Sequence, residues 1–227
     1  MPRYAVVALN HTLGGFFDEL WSGAALRIAA DGGANRVYDR KAELGSLLPS
    51  PHYVKGDLDS IRPEVELYYQ GEGLTLYKDP DQDTNDLQKC LALFQSHQPA
   101  HNFAGSPILI CGGLGGVLSH TMANVESVLQ YARRIDNPMY LLSEENVGIV
   151  LLEGHHTINL SNNTYCSFIP LGQTCQISHS TNLRYPLDGL ELAFGKLVST
   201  SNQSTAEQIT LNIQQGPLLF LADARKS

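Results

Sequence analysis

Two carboxylates stand two residues apart in Gly56-Asp57-Leu58-Asp59-Ser60, at the end of a short apolar run. In an extended chain, side chains i and i+2 point the same way, so Asp57 and Asp59 face together. Such a pair repels unless a cation or a proton lies between the two groups. Mg²⁺ takes one or two carboxylates and fills its remaining positions with water and phosphate oxygens. An Asp-rich turn with a helix cap fits the same residues. A second acidic stretch, Asp79-Pro80-Asp81-Gln82-Asp83-Thr84-Asn85-Asp86, places four carboxylates in eight residues before a helical pattern. One or two of these suit helix capping. The remainder leave a third metal ligand available.

Two glycine-rich turns each lie between a strand signal and a helix signal. Cys111-Gly112-Gly113-Leu114-Gly115-Gly116 lets backbone N–H groups approach an anion at a helix start, although no Gly-Lys-Ser/Thr follows. Asp31-Gly32-Gly33-Ala34-Asn35-Arg36 offers close approach plus the polar groups of Asp31 and Asn35. Either could equally be a tight connection. Ser199-Thr200-Ser201-Asn202 reads as a polar turn or as a set of hydrogen-bonding groups. No HExxH zinc motif and no Gly-x-Ser-x-Gly elbow occurs.

The elements that must position these residues change character along the chain. Tyr4–Leu9, Leu26–Asp31, His52–Asp57, Leu74–Lys78 and Pro107–Cys111 are short apolar runs that suit buried parallel strands. Between them lie helical spacings, with Leu87, Cys90, Leu91 and Phe94 in one and Val125, Val128, Leu129 and Ala132 in another. Pro63 can open a helix over Glu64–Tyr69. Beyond residue 145 the helical stripes stop. Strand-like runs follow at Val147–Leu152, His156–Leu160, Tyr165–Pro170, Leu192–Ser199, Gln208–Ile213 and Leu218–Ala222. The fold class is therefore an α/β N-terminal domain with a mostly parallel sheet over 1–145, then an all-β sandwich over 146–227.

Composition narrows the function. With 227 residues, the chain is long enough to bury its own core. Lys plus Arg number 15 against 23 Asp plus Glu, a formal charge of −8, which argues against a nucleic-acid partner. A phosphate ligand on so acidic a chain needs metal ions or backbone N–H groups. Cys90, Cys111, Cys166 and Cys175 lack metal spacing and read as reduced, buried thiols. The apolar segment after Met1-Pro2-Arg3 is too short for a signal peptide, and no run is long enough to cross a bilayer, so no membrane association and a cytoplasmic location are expected.

Taken together, ADGGANRVYD (30–39), KGDLDSIRPEV (55–65), DPDQDTNDLQKC (79–90), GGLGGVLSHTMANV (112–125), FIPLGQTC (168–175) and LAFGKLVSTSN (192–202) resemble eukaryotic-type thiamine pyrophosphokinases. The resemblance implies transfer of pyrophosphate from ATP to the hydroxyethyl group of thiamine, giving thiamine diphosphate and AMP. It implies a catalytic α/β domain, a thiamine-binding and dimerising sandwich, and a homodimer with thiamine at the subunit interface. By position, Asp57, Asp59 and Asp86 match the family's Mg²⁺ carboxylates, and Gln82 matches a residue near the phosphates. Asp31, Asn35, Gly112, Gly113, Gly115 and Gly116 match nucleotide-facing loops. Ser199, Ser201 and Asn202 match the segment that meets the thiamine pyrimidine, and Tyr185 stands where the family has a Trp that can stack.

The chain departs from the family in one loop. Where relatives read Gly-Arg-x-Asp-His, it reads Gly116-Val117-Leu118-Ser119-His120. Valine cannot replace the bidentate bonds an arginine gives phosphate, which leaves Lys55, Arg36 or another basic residue to supply the charge. Ser119 can cap the following helix. The family's usual Thr before the last metal carboxylate is Asn85 here. Two other functions suit these departures: a non-catalytic thiamine- or nucleotide-binding homologue, and a pyrophosphokinase for another heterocyclic alcohol.

Overall fold

A computed structural model describes residues 3–44 and 47–224, without the side chains of 98–101. Met1 and Pro2, read above as the start of the N-terminal segment, lie outside the described residues. The chain forms two compact units, Met1–Glu144 and Glu145–Ser227.

In the first unit the apolar runs become strands β1 (Ala5–Ala8), β2 (Leu26–Ala30), β3 (Tyr53–Gly56), β4 (Leu76–Lys78), β5 (Ile108–Cys111) and β6 (Met139–Leu142). Their order in the sheet is β6-β5-β1-β2-β3-β4, and every pairing is parallel. Strand β1 is buried at all four residues, as a strand covered on both faces requires. The chain starts at β1, runs outward through β2, β3 and β4, then returns to β5 on the other side of β1. That reversal leaves a crevice at the carboxyl ends of β1 and β5, where ligands bind in open α/β sheets.

Five helices accompany the strands: α1 (Phe17–Gly23), α2 (Asp31–Leu44), α3 (Pro63–Gly71), α4 (Asp86–His101) and α5 (Leu118–Ala132). Neither α1 nor β6 was expected from the sequence. Helix α1 has seven residues, and it is held by the Trp21 indole N–H donating to the Pro49 carbonyl at 2.7 Å. Helix α2 starts directly at the end of β2. A Cβ on Gly33 would stand 2.1 Å from the Ala8 carbonyl oxygen, so only glycine lets α2 lie against β1.

The second unit holds β7 (Asn146–Leu151), β8 (Gly154–Asn159), β9 (Tyr165–Pro170), β10 (Cys175–Thr181), β11 (Leu190–Leu192), β12 (Ser199–Gln203), β13 (Gln208–Gln215) and β14 (Leu218–Asp223). Two antiparallel four-stranded layers form, β12-β9-β14-β7 and β11-β10-β13-β8. Phe168 and Phe220 from the first layer and Ile177, Leu192, Leu211 and Ile213 from the second share one buried core. The fold class read from the sequence therefore holds.

Two local expectations in this unit do not. The run Leu192–Ser199 is broken: β11 ends at Leu192, and β12 begins at Ser199. The hydroxyl run Ser199–Asn202, read as a polar turn, is a strand on the outside of its layer. Its pairing to β9 shifts register between Ser199 and Asn202.

Candidate active site

A cavity of about 490 Å³ opens in the first unit at the carboxyl ends of β1, β3 and β5. Asp57, Asp59, Gln82, Asp86, Gly112, Gly115 and Gly116 line it. Carboxylate oxygens of Asp31, Asp57 and Asp86 lie within 4.8 Å of one another, a spacing one divalent cation can bridge. They come from three separate places: the start of α2, the loop after β3 and the first residue of α4.

The trio differs from the expected set, since Asp31 stands in it and Asp59 does not. The strand ends at Gly56, and Leu58 adopts a left-handed conformation with φ 63°. The i, i+2 rule for extended chain therefore fails at Asp57 and Asp59. The Asp59 N–H instead turns back toward Asp57 Oδ1 at 3.5 Å, and the exposed Asp59 carboxylate accepts the Ser60 hydroxyl at 2.9 Å.

Each carboxylate is placed by neighbours. Asp31 is almost fully buried, and its Oδ2 accepts the Ser60 N–H at 3.2 Å. Its Oδ1 is buried without a hydrogen-bond partner. A buried carboxylate oxygen left unpaired beside two further carboxylates fits a hard cation. Burial, with the Asp57 and Asp86 carboxylates close by, pushes the Asp31 carboxyl up to about 6, against the pull of the Ser60 N–H. Asp57 sits below the usual carboxylate range, chiefly because the Gln82 amide donates to its Oδ2 at 3.2 Å. Burial raises Asp86; Lys89 opposes that shift, and Asp57 and Asp59 add to it.

Asp86 is fixed by the start of α4. The Asn85 side-chain oxygen accepts the Gln88 N–H at 2.9 Å, and the Gln88 side-chain oxygen accepts the Asn85 N–H at 3.0 Å. This is a reciprocal capping box. The cap is thus an amide rather than one of the four nearby carboxylates. Asp79 pairs with Lys55 at 2.8 Å and accepts the Asp81 N–H, and Asp81 accepts the Asp83 N–H and the Thr84 hydroxyl. Two of the four acids therefore shape the loop.

The Gly112–Gly116 loop also divides. Gly115 and Gly116 have φ of 97° and 66°, and a Cβ at Gly115 would stand 2.8 Å from His11 Nε2. His11, which the sequence reading passed over, thus lies on this loop and lines the cavity. Gly113 faces the sheet instead, where a Cβ would stand 2.6 Å from Leu141. Ser119 does not cap α5: the cap position is Val117, with no side-chain bond. Thr121 closes the turn by accepting the Gly115 N–H at 3.1 Å and donating to its carbonyl at 2.9 Å.

Asn35 does not point a free group at the cavity. Its amide donates to the Ser60 carbonyl at 2.8 Å and accepts the Arg62 N–H at 3.0 Å, clipping the loop that carries Asp57. In the second unit, Asn202 is almost fully buried and equally engaged. Its oxygen accepts the N–H groups of Tyr185 and Gln203 at 3.1 and 2.9 Å, and its nitrogen donates to the Tyr185 carbonyl at 2.7 Å. Ser199 is partly exposed, Ser201 is exposed, and Tyr185 is 57% exposed with the Arg184 guanidinium 5.7 Å from its ring centre.

Comparison with known proteins adds an independent line. Residues 17–141 match the family model for the thiamin pyrophosphokinase catalytic domain, and residues 155–218 match that for its vitamin B1 binding domain. The chain belongs to the thiamine pyrophosphokinase family. Thiamine pyrophosphokinase 1 of Oryza sativa subsp. japonica is 36% identical, with 92% of this chain and 83% of the relative covered. Thiamine pyrophosphokinase 1 of Arabidopsis thaliana is 34% identical, covering 99% and 88%. The solved thiamin pyrophosphokinase from Candida albicans superposes with a TM-score of 0.88 at 18% identity, covering 98% of this chain and 89% of that one. At that identity the structural likeness speaks for the fold. No helix among the described residues is long and apolar enough to cross a membrane.

Proposed function

We propose that this member of the thiamine pyrophosphokinase family transfers the pyrophosphoryl group of ATP to the primary hydroxyl of thiamine, giving thiamine diphosphate and AMP. The observation that carries the reading is the Asp31/Asp57/Asp86 trio, with Asp57 and Asp86 on the wall of the α/β cavity, in a chain whose second half matches a vitamin B1 binding domain. We infer that the first unit receives the nucleotide and that the second unit contributes thiamine contacts through Ser199, Ser201 and the exposed Tyr185 ring.

Asp31, Asp57 and Asp86 are the residues that would hold Mg²⁺, with Asp59 at the cavity wall. When bound, Mg²⁺ supplies charge neutralisation for the phosphate oxygens. The protein's own groups supply position. Gln82 steadies Asp57, the Asn85–Gln88 box fixes Asp86, and the Gly115–Gly116 turn borders the cavity with backbone groups. The thiamine hydroxyl oxygen forms a bond to the β-phosphorus as the bond from that phosphorus to the α,β-bridging oxygen breaks. AMP leaves with that electron pair, and the hydroxyl proton passes to solvent. Catalysis by positioning and charge stabilisation needs no covalent protein intermediate.

A homodimer is part of the proposal. Tyr185, Phe194 and Leu197 of the second unit are 57%, 74% and 44% exposed, apolar side chains that a second copy of the chain would cover. Four free, buried thiols support a cytoplasmic location.

One observation favours the non-catalytic reading: Val117 is 59% exposed on the cavity lining, where it offers phosphate no charge. AMP release from Mg-ATP with and without thiamine decides between them, with Asp57→Ala and Asp59→Ala as controls. Thiamine-dependent AMP, lost in Asp57→Ala, is expected. A thiamine-dependent rise in melting temperature without any AMP would overturn catalysis in favour of binding.

A further inference from the structure

The cavity combines a strongly acidic wall with a phosphate-bearing substrate, so the position of its cations matters. Lys55, the nearest candidate from the sequence, is paired with Asp79 at 2.8 Å. Arg36 donates to Asn10 Oδ1 at 3.0 Å and is not on the cavity lining. His11 and His120 also line the cavity, but neither is a lysine or arginine with a standing positive charge. Lys89 is different. It lies one turn after Asp86 on α4, lines the cavity and is only 4% exposed.

The Lys89 ammonium has no ion pair or hydrogen bond to a described residue, although its charge lowers the carboxyl groups of Asp57, Asp79, Asp81 and Asp86. The Lys89 side chain is buried, but its ammonium is not among the fully enclosed polar atoms, so its three N–H donors are open to the cavity it lines. In a structural role it would close on one of those carboxylates. It is instead held apart, at the wall that Asp86 shares. A compact ammonium is a good point-charge partner for phosphate oxygens.

We propose that Lys89 binds the phosphate chain of ATP and supplies the fixed positive charge that Val117 does not. The inference rests on the proposed pyrophosphokinase reading. Lys89 is placed as a substrate contact, distinct from the carboxylates that would hold the metal.

The test uses the full chain and three probes. Binding of α,β-methylene-ATP in Mg²⁺ is followed by calorimetry, and Mn²⁺ binding without nucleotide by electron paramagnetic resonance. AMP release with thiamine is the third readout. Lys89→Met is expected to weaken analogue binding by about 10- to 100-fold, the loss of a bond to a charged group. Mn²⁺ affinity stays equal or tightens, because a cation next to the carboxylates is gone. Lys89→Arg recovers part of the nucleotide affinity. Wild-type analogue affinity in Lys89→Met overturns the proposal. So does loss of Mn²⁺ affinity in step with nucleotide affinity, which would make Lys89 a spacer for the carboxylates. If Lys89→Met does not fold, Lys89→Gln carries the same comparison. Wild-type protein that binds the analogue yet releases no AMP would sink the pyrophosphokinase reading while leaving the Lys89 contact standing.

Discussion

The two units differ in their buried polar side chains: the α/β unit engages Ser127 and Asn137 as the sandwich engages its own, but leaves groups at its cavity unpaired. In the β sandwich, Asn202, Ser180 and Ser204 are buried and fully engaged. Asn202 holds three backbone groups, Ser180 joins Asp188 to the Leu187 N–H, and Ser204 accepts the Thr164 N–H while donating to the Ser161 carbonyl. In the α/β unit, Asp31 Oδ1 is buried without a partner, and the Lys89 ammonium at the cavity wall makes no hydrogen bond or ion pair to a described residue. Satisfied polar groups specify a structure; unsatisfied ones at a cavity await something from outside. Substitutions should therefore separate by unit, losing activity without stability in one and stability without chemistry in the other.

The largest effect is expected at Asp86. Its carboxyl is raised by burial and by neighbouring carboxylates, so ionising it in the metal-free protein is unfavourable. Asp86→Asn should lower kcat/KM by about 10³-fold, as losing a group that stabilises transition-state charge does. Its melting temperature in EDTA should be no lower than wild type. A clear drop in that temperature would break the contrast at its most important residue.

Asn202→Ala should do the reverse. Removing three bonds to backbone groups in a buried setting costs about 2–3 kcal/mol. The protein is expected to melt earlier, with thiamine KM changed only as far as folding falls. A variant with unaltered melting temperature and a selectively raised thiamine KM would make Asn202 a ligand-binding residue, as the family resemblance implied.

Asp31 gives a pH signature. Its folded pKa of about 6 lies above the ordinary 3.8, so its contribution favours the folded state below about pH 4 and is lost as pH rises through 6. In EDTA, the wild-type melting temperature should therefore climb as pH falls from 7.5 to 5. Asp31→Asn should flatten that slope, and Mg²⁺ should reverse its sign, because protons then compete with the metal. A slope unchanged in Asp31→Asn would assign it to other groups.

The contrast also explains what was legible in the sequence. Runs such as Pro107–Cys111 carry both the period and the burial of parallel strands, and β5 forms there. The spacing of Leu87, Cys90, Leu91 and Phe94 marks a helix face, and all four are buried. Strand β12 was missed because Ser-Thr-Ser-Asn-Gln has no apolar alternation; its pairing with β9 makes it a strand. Asp59 was grouped with Asp57 because the i, i+2 rule assumes extended chain, and one left-handed residue at Leu58 defeats it. Asp31 sits 26 residues before Asp57 and joins it only through the alignment of β2 with β3. Lys89 did leave a signal, a basic residue one turn beyond the last carboxylate of the acidic cluster, off the apolar face of Leu87, Cys90, Leu91 and Phe94.

The smallest effect tests where the two behaviours meet. Asn85 is a satisfied residue in the unit that leaves others unsatisfied. It caps α4 through Gln88, and its side-chain nitrogen donates to Ser127 Oγ at 2.8 Å, linking α4 to α5. Its neighbour in sequence is Asp86. Asn85→Ala removes the helix cap and costs about 1 kcal/mol, a small shift in melting temperature. Because Asp86 is the first helical residue, fraying of that turn also loosens one carboxylate of the trio. Mg²⁺ affinity should then weaken by a few-fold more than the loss of stability alone accounts for. Asn85→Thr keeps a capping oxygen and should restore most of the metal affinity, because the cap rather than the bond to Ser127 sets the carboxylate. If Asn85→Thr binds Mg²⁺ as weakly as Asn85→Ala, the bridge between α4 and α5 is what positions Asp86.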